Sequence, residues 1–120
     1  MLKLNEKPIT ATHMTRNKLL NIEKQISRIK QELQEIEEMR PGSLTRQYKN
    51  PKGNTGAYYQ LSYTHKMRSK TEYIRPQFVG EIKQQIKAYN KFKRLIKKWI
   101  DLSIEHSKLT IDIIKRNSIK

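Results

Sequence analysis

The residues best suited to chemistry in this sequence are basic side chains that recur along one face of a predicted helix. They step by four, four, three and four and are Lys83, Lys87, Lys91, Arg94 and Lys98. Like charges at these spacings repel one another and weaken a free helix. A phosphate backbone, with one charge per about 1.7 Å of duplex axis, is an anionic ligand that this basic stripe fits. A solvated lysine face is the simpler alternative.

A second basic group lies at the tip of a predicted hairpin in GAYYQLSYTHKMRSKTEYIRP, residues 56–76. The candidates for phosphate contact are Lys66, Arg68 and Lys70 at the tip, with Arg46, Lys49 and Lys52 before the hairpin. The alternation predicts that Tyr58, Gln60, Ser62 and Thr64 face outward, where a tyrosine can stack on an unpaired base. Tyr58 stays open between packing and ligand contact and is kept as a candidate. For Tyr59, Tyr63 and Tyr73 we expect packing on the helices.

Residues for covalent or metal-dependent catalysis do not form a recognisable set. His13, His65 and His106 follow none of the spacings of metal sites. His106 lies on a helical seam, where we expect packing or pairing. A tyrosine nucleophile needs a metal or a surrounding arginine and histidine constellation, and the few carboxylates are placed elsewhere. We therefore expect a protein that is not an enzyme and has no cofactor and no metal.

Charge is distributed unevenly along the chain. The 120 residues include 26 Lys and Arg against 11 Asp and Glu, for a formal net charge of +15. Residues 1–40 hold eight basic and six acidic residues, residues 41–76 seven and one, and residues 77–120 eleven and four. Such an excess destabilises a compact chain unless an anion balances it. Nucleic acid is the usual partner, and an anionic membrane surface is the second candidate.

Cysteine is absent from the sequence, which excludes disulfides and thiolate metal sites. We find no signal-peptide core and no run approaching the ~20 apolar residues of a transmembrane helix. These features predict a soluble, cytoplasmic protein.

The apolar residues predict two long helices. Six recur at alternating steps of three and four, the seam of a coiled coil, and they are Leu19, Ile22, Ile26, Ile29, Leu33 and Ile36. We expect this helix from Thr15 to about Met39, where Pro41 stops it, after a flexible N-terminal arm at residues 1–14. A second, longer helix is expected from Pro76 to about Arg116. Its surplus length is expected to pair with another copy of the protein.

Between the helices, alternation predicts strands. Ala57, Tyr59, Leu61 and Tyr63 share one face of a strand, residues 70–75 return after a turn at residues 65–69, and residues 44–49 are a possible third strand. The predicted fold is mainly α with a small β-hairpin: two long helices in an antiparallel, coiled-coil-like arrangement with a two- or three-stranded β insert. A single helix–hairpin–helix domain spans residues 15–116, and residues 117–120 are a tail.

The central segments RPGSLTRQY (40–48) and GAYYQLSYTHKMRSKTEYI (56–74) resemble a family of small uncharacterised prokaryotic proteins. In that family a helix ends in PGSL, a QY pair and a G-x-Y-Y-x-L-S-Y hairpin follow, and a second helix carries a Y-x-x-F/L pattern, here Tyr89 to Phe92. The similarity covers about residues 19–105. Many members carry a cysteine cluster where this sequence has KNPKGNT. The resemblance implies a setting beside transposase-like genes and names no mechanism.

Three functions fit these patterns. The first is a nucleic-acid-binding accessory protein that contacts phosphates through the hairpin tip and the basic stripe. Its nucleic acid is either DNA or RNA. We expect the protein to belong to a mobile element or a nucleic-acid-processing complex, and to pair through the coiled-coil seam with another copy of itself or with a protein partner. The alternative is a coiled-coil structural or adaptor protein whose basic face binds an acidic protein. A peripheral membrane binder is a third and weaker reading, because Phe92 and Trp99 suit a protein core equally well.

Overall fold

The computed structural model describes the backbone of residues 2–118 and the side chains of residues 13–118. Two long helices have a three-stranded antiparallel sheet between them, which confirms the predicted fold class. The elements are α1 (Leu2–Gln34), β1 (Ser43–Asn50), β2 (Thr55–His65), β3 (Arg68–Ile74), a short 3₁₀ turn (Pro76–Phe78) and α2 (Val79–Ser118).

The bounds of α1 differ from those predicted. The helix begins at Leu2, so the flexible arm predicted at residues 1–14 falls within α1 from residue 2 onward. Helix propagation adds one backbone hydrogen bond per residue fixed, so a segment without an apolar stripe can still be helical. The helix ends at Gln34 instead of Met39. Negative side chains are unfavourable at the C-terminal end of a helix, which is the negative end of its dipole. Glu35, Glu37 and Glu38 directly follow Gln34, so they disfavour continuation of the helix. Ile36 therefore lies beyond α1.

The chain forms two compact units. The helical unit combines α1 with the part of α2 from Arg94 onward, and the sheet unit comprises residues 36–93. The single domain predicted over residues 15–116 stays a prediction. The tail predicted at residues 117–120 is helical as far as Ser118, and its last two residues lie outside the described part of the chain.

In the helical unit, α1 and α2 run antiparallel. The Arg116 guanidinium lies 3.4 Å from the Thr15 hydroxyl, and the Lys30 ammonium lies 5.3 Å from the centre of the Trp99 ring. The earlier residue of α1, Thr15, thus contacts the later residue of α2, Arg116, and the later residue, Lys30, contacts the earlier one, Trp99. The helices therefore pair within one chain.

The apolar seam of α1 is withdrawn from solvent. Ile22 and Ile29 are buried, together with Leu95 of α2. Leu19, Ile26 and Leu33 are half-buried, as is Ile36 beyond the helix end. Coiled-coil packing along this seam stays a prediction.

The sheet unit has β2 at its centre, with β1 and β3 antiparallel on either side. Leu61 is fully buried in the middle of β2, opposite Leu44 of β1 and Glu72 of β3. The core cluster of the sheet unit contains Leu61 and Ile74 of the sheet together with Val79 and Ile82 of α2. A hairpin alone is marginal in water, and burial of its apolar face against a helix stabilises it.

Candidate nucleic-acid interface

The strand register gives the sheet two chemically different faces. Directly opposed residues of antiparallel strands point to the same side. The inner face, which carries the core leucine, contains Leu44, Arg46, Tyr48, Tyr59, Leu61, Tyr63, Arg68, Lys70, Glu72 and Ile74. The outer face contains Thr45, Gln47, Tyr58, Gln60, Ser62, Thr64, Ser69, Thr71 and Tyr73. Lys49 of β1 belongs to the same face by alternation with Thr45 and Gln47.

The hairpin tip is a two-residue turn, shorter than the predicted one at residues 65–69. Lys66 and Met67 have φ values of 52° and 64°, as in a type I′ turn. Lys66, Arg68 and Lys70 are exposed. Arg68 and Lys70 follow the inner face in register, so the structure separates them from the outward residues with which the sequence analysis had grouped them.

The remaining basic candidates are also at the surface. Arg46, Lys49 and Lys52 are exposed, and the Arg46 guanidinium lies 5.3 Å from the centre of the Tyr48 ring. In the basic stripe of α2, one residue is half-buried and four are exposed: half-buried Lys91, and exposed Lys83, Lys87, Arg94 and Lys98. The first three of the stripe belong to the sheet unit and the last two to the helical unit.

The prediction that Tyr73 packs on a helix is wrong. Its side chain is 61% exposed, and its ring centroid lies 6.2 Å from that of Tyr58 at an interplanar angle of 34°. The reason is register: β3 places Tyr73 opposite Gln60 on the outer face, and Ile74 takes the inward position opposite Tyr59. Tyr59 and Tyr63 pack against the core as expected.

A polar cluster on the inner face was not found from the sequence. The Arg40 guanidinium forms an ion pair with one carboxylate oxygen of Glu72, and the Tyr63 hydroxyl donates to the other oxygen at 2.8 Å. The hydrogen bond from Arg40, and then that from Tyr63, lowers the pKa of Glu72. The same bond raises the pKa of Arg40. No sequence periodicity indicates this polar cluster, because Arg40 lies in a loop and Tyr63 and Glu72 lie in two different strands.

A family model described as a domain of unknown function, DUF6788, matches residues 19–84. The chain belongs to this family. The match includes both motif segments on which the resemblance rests, whereas the association with transposase-like genes stays a prediction. Neither curated proteins nor solved structures give a match.

The DUF6788 region contains the hairpin and its basic tip but only the first residue of the basic stripe. Lys83 falls inside the region, and the other four residues of the stripe come after residue 84. The sheet is thus the part of the candidate interface that belongs to the family domain, and the rest of the stripe lies on the helix that continues beyond it.

His106, outside the DUF6788 region, pairs with Glu23 at 3.0 Å between Nε2 and Oε1. Among the described side chains, three or more His, Asp or Glu nowhere cluster as a metal site would require. Neither α1 nor α2, as far as they are described, has an apolar stretch long enough to cross a membrane.

Proposed function

We propose that this protein is a non-enzymatic, cytoplasmic nucleic-acid-binding accessory protein. It contacts phosphates through the exposed basic residues of the sheet unit and of α2. Its setting is a mobile element or a nucleic-acid-processing complex, as the family resemblance implies.

One observation carries the proposal. Residues 41–76 contain seven basic residues and a single acidic one, Glu72. That carboxylate is paired with Arg40 from outside the segment and also interacts with Lys70, so one shared carboxylate is all that balances the seven basic residues. A polyanion provides the compensation that the surface lacks.

The chemistry of these side chains favours backbone contact over base readout. Lysine is a flexible point charge that binds phosphate without reading sequence. Each phosphate neutralised lowers the slope of log affinity against log salt by about 0.9 for duplex DNA and about 0.7 for single strands. A steep salt dependence is therefore the signature expected of this surface.

The test is fluorescence anisotropy of labelled duplex DNA, single-stranded DNA and structured RNA across a salt series. We expect Lys66→Asn with Arg68→Gln to weaken binding and to reduce the salt slope by about 1 to 2. Asparagine tolerates the positive φ at position 66, so the turn is kept. The matched control is Lys18→Gln with Lys24→Gln, which removes the same charge from exposed positions on α1. An unchanged slope in the hairpin variant would refute the proposed surface.

A second candidate is self-association, favoured by an apolar row on α2 in the helical unit. Ile100, Ile104, Ile111 and Ile114 are 48% to 60% exposed. With Ser107 between them they step by four and three alternately, the spacing of a coiled-coil seam. A groove of about 590 Å³ lies beside the first half of the row, where Ile100, Ile104 and Ser107 line it together with Trp99 and Ser103. Since Ile22 and Ile29 are already buried, we propose this row, not the α1 seam, as the homodimer interface.

Light scattering after size-exclusion chromatography tests this interface. We expect a dimer for the wild-type protein and a monomer for Ile104→Ser with Ile111→Ser. Leu20→Ser with Phe78→Ser is the control, because both side chains are more than half exposed elsewhere. A wild-type monomer at every concentration would exclude the homodimer and leave the nucleic-acid proposal standing.

A further inference from the structure

We infer that the outer face of the sheet is a stacking platform for unpaired bases, which makes single-stranded nucleic acid the ligand. The inference rests on the proposed function and specifies its substrate class. It is carried by the Tyr58–Tyr73 pair, which the strand register brings together on this face.

The side chains of the outer face are mainly polar and suit a polar ligand. It has no acidic residue, its one charged residue is Lys49, and its other members are hydroxyl, amide and tyrosine side chains. Thr45, Gln47, Ser62 and Thr71 are exposed. Unlike the inner face, it contributes no residue to the core cluster of the sheet unit.

The two tyrosines lie diagonally across β2 and β3, within reach of each other. At 6.2 Å and 34° the rings are tilted and incompletely stacked. Tyr58 is half-buried, so Tyr73 offers the larger surface to a further planar group. Tyr73 lies on an edge strand and is exposed over more than half of its surface. Base–aromatic stacking suits this geometry and tolerates any base, because every base has a π-face.

The charges around the platform select a nucleic acid in preference to a protein. Lys49 shares the outer face by alternation along β1, and Arg75 follows the end of β3 in an extended conformation. Both are exposed and can hold phosphates on either side of a stacked base. Gln47 and Gln60 add amide groups of the kind that reach base edges. A duplex keeps its bases stacked inside, so the tyrosines favour the single strand.

The experiment compares three labelled 12-nucleotide probes by fluorescence anisotropy: oligo(dT), oligo(rU) and an abasic phosphodiester of the same length. The wild-type protein is expected to bind at least one base-containing probe about tenfold more tightly than the abasic probe. The tighter of the two identifies the sugar. Tyr58→Thr with Tyr73→Thr is expected to abolish that difference, and Tyr58→Phe with Tyr73→Phe to retain it. Threonine suits a strand, and thermal melting checks that each variant is folded.

The outcomes separate the two proposals. Equal, salt-dependent binding of all three probes overturns the platform and leaves phosphate binding intact. Absence of binding to every probe, duplex included, overturns the proposed function itself. A base-dependent difference that survives in a folded threonine variant places the bases elsewhere and also overturns the platform. If the threonine variant does not fold, the other two proteins decide between the outcomes. The platform then requires that the wild type prefers bases over the abasic probe and that the phenylalanine variant retains this preference.

Discussion

Arg40 and Glu72 form an ion pair across an interval of 32 residues, and Tyr63 donates to the same carboxylate at 2.8 Å. The backbone N–H of Arg40 also donates to the backbone carbonyl of Gln85 at 3.0 Å. One arginine between α1 and β1 therefore connects β3 with α2. The contact stabilises the sheet unit and pairs the only carboxylate of its strands with an arginine.

This ion pair predicts a specific pH dependence of stability. Arg40, and then Tyr63, lowers the pKa of Glu72 in the folded state. The unfolded value is about 4.3. The stabilisation is thus present above that value and is lost as pH falls through the folded pKa. Because Glu72 is 42% exposed, solvent screening limits the effect to about 0.5–1 kcal/mol.

Thermal melting between pH 6 and pH 3 measures the effect. We expect Glu72→Gln to be less stable than the wild type at pH 6 and closer to it at pH 3. Glu105→Gln, an exposed position on α2, is the control and should show a smaller change of this kind. A constant difference between Glu72→Gln and the wild type at all pH values would mean that the ion pair contributes nothing.

The PGSL motif predicts a sharp cost for a side chain at Gly42. Its φ is 143°, which only glycine adopts readily, and a Cβ there would lie 2.5 Å from Cδ1 of the fully buried Leu61. We expect Gly42→Ala to lower the free energy of unfolding by about 2–4 kcal/mol, from strain and overpacking together. Urea denaturation measures this. Gly80→Ala, where nothing lies within 4 Å of the added carbon and the backbone is helical, should be neutral or stabilising.

The sequence predicts the parts of this fold that periodicity governs. The seam of α1 and the alternation of β2 identify residues that are withdrawn from solvent, because burial on one face forces a period on the chain. Three features escaped prediction. The position of Tyr73 depends on which residues of β2 and β3 are paired, and a shift of one residue exchanges the faces. The Arg40–Glu72 pair joins distant segments, and residues 2–14 of α1 carry no apolar periodicity from which a helix could be predicted.

The hairpin turn predicts that a substitution at its tip stabilises the protein. Met67 has φ 64° and is 97% exposed, so its side chain contributes no packing and its backbone carries the strain of a left-handed L-residue. Type I′ turns favour glycine at their second position. We expect Met67→Gly to raise the free energy of unfolding by about 1 kcal/mol and to leave nucleic-acid affinity unchanged, since no charge is removed. A loss of affinity in a protein of higher stability would reveal that the methionine itself contacts the ligand.

The basic stripe predicts opposite effects on stability and on binding. Lys87 lies four residues from Lys83 and four from Lys91, and each like-charge pair costs about 0.2–0.5 kcal/mol. Lys87→Gln should therefore raise the melting temperature slightly while it weakens nucleic-acid binding and lowers the salt slope by about 0.9. Calorimetry and anisotropy on the same preparation measure the two effects.

Lys108→Gln is the matched control for this pair of effects, since it removes the same charge from the same helix. Asp112 lies four residues after Lys108, so the substitution removes an attractive pair and should lower the melting temperature slightly. Its salt slope should stay at the wild-type value, because Lys108 lies outside the basic stripe. If Lys87→Gln and Lys108→Gln change the slope equally, binding follows net charge alone and the stripe is not a site. If only Lys87→Gln changes the salt slope, the basic stripe is a binding site. The repulsion between its like charges, which destabilises the free helix, is then explained by their contacts with the ligand.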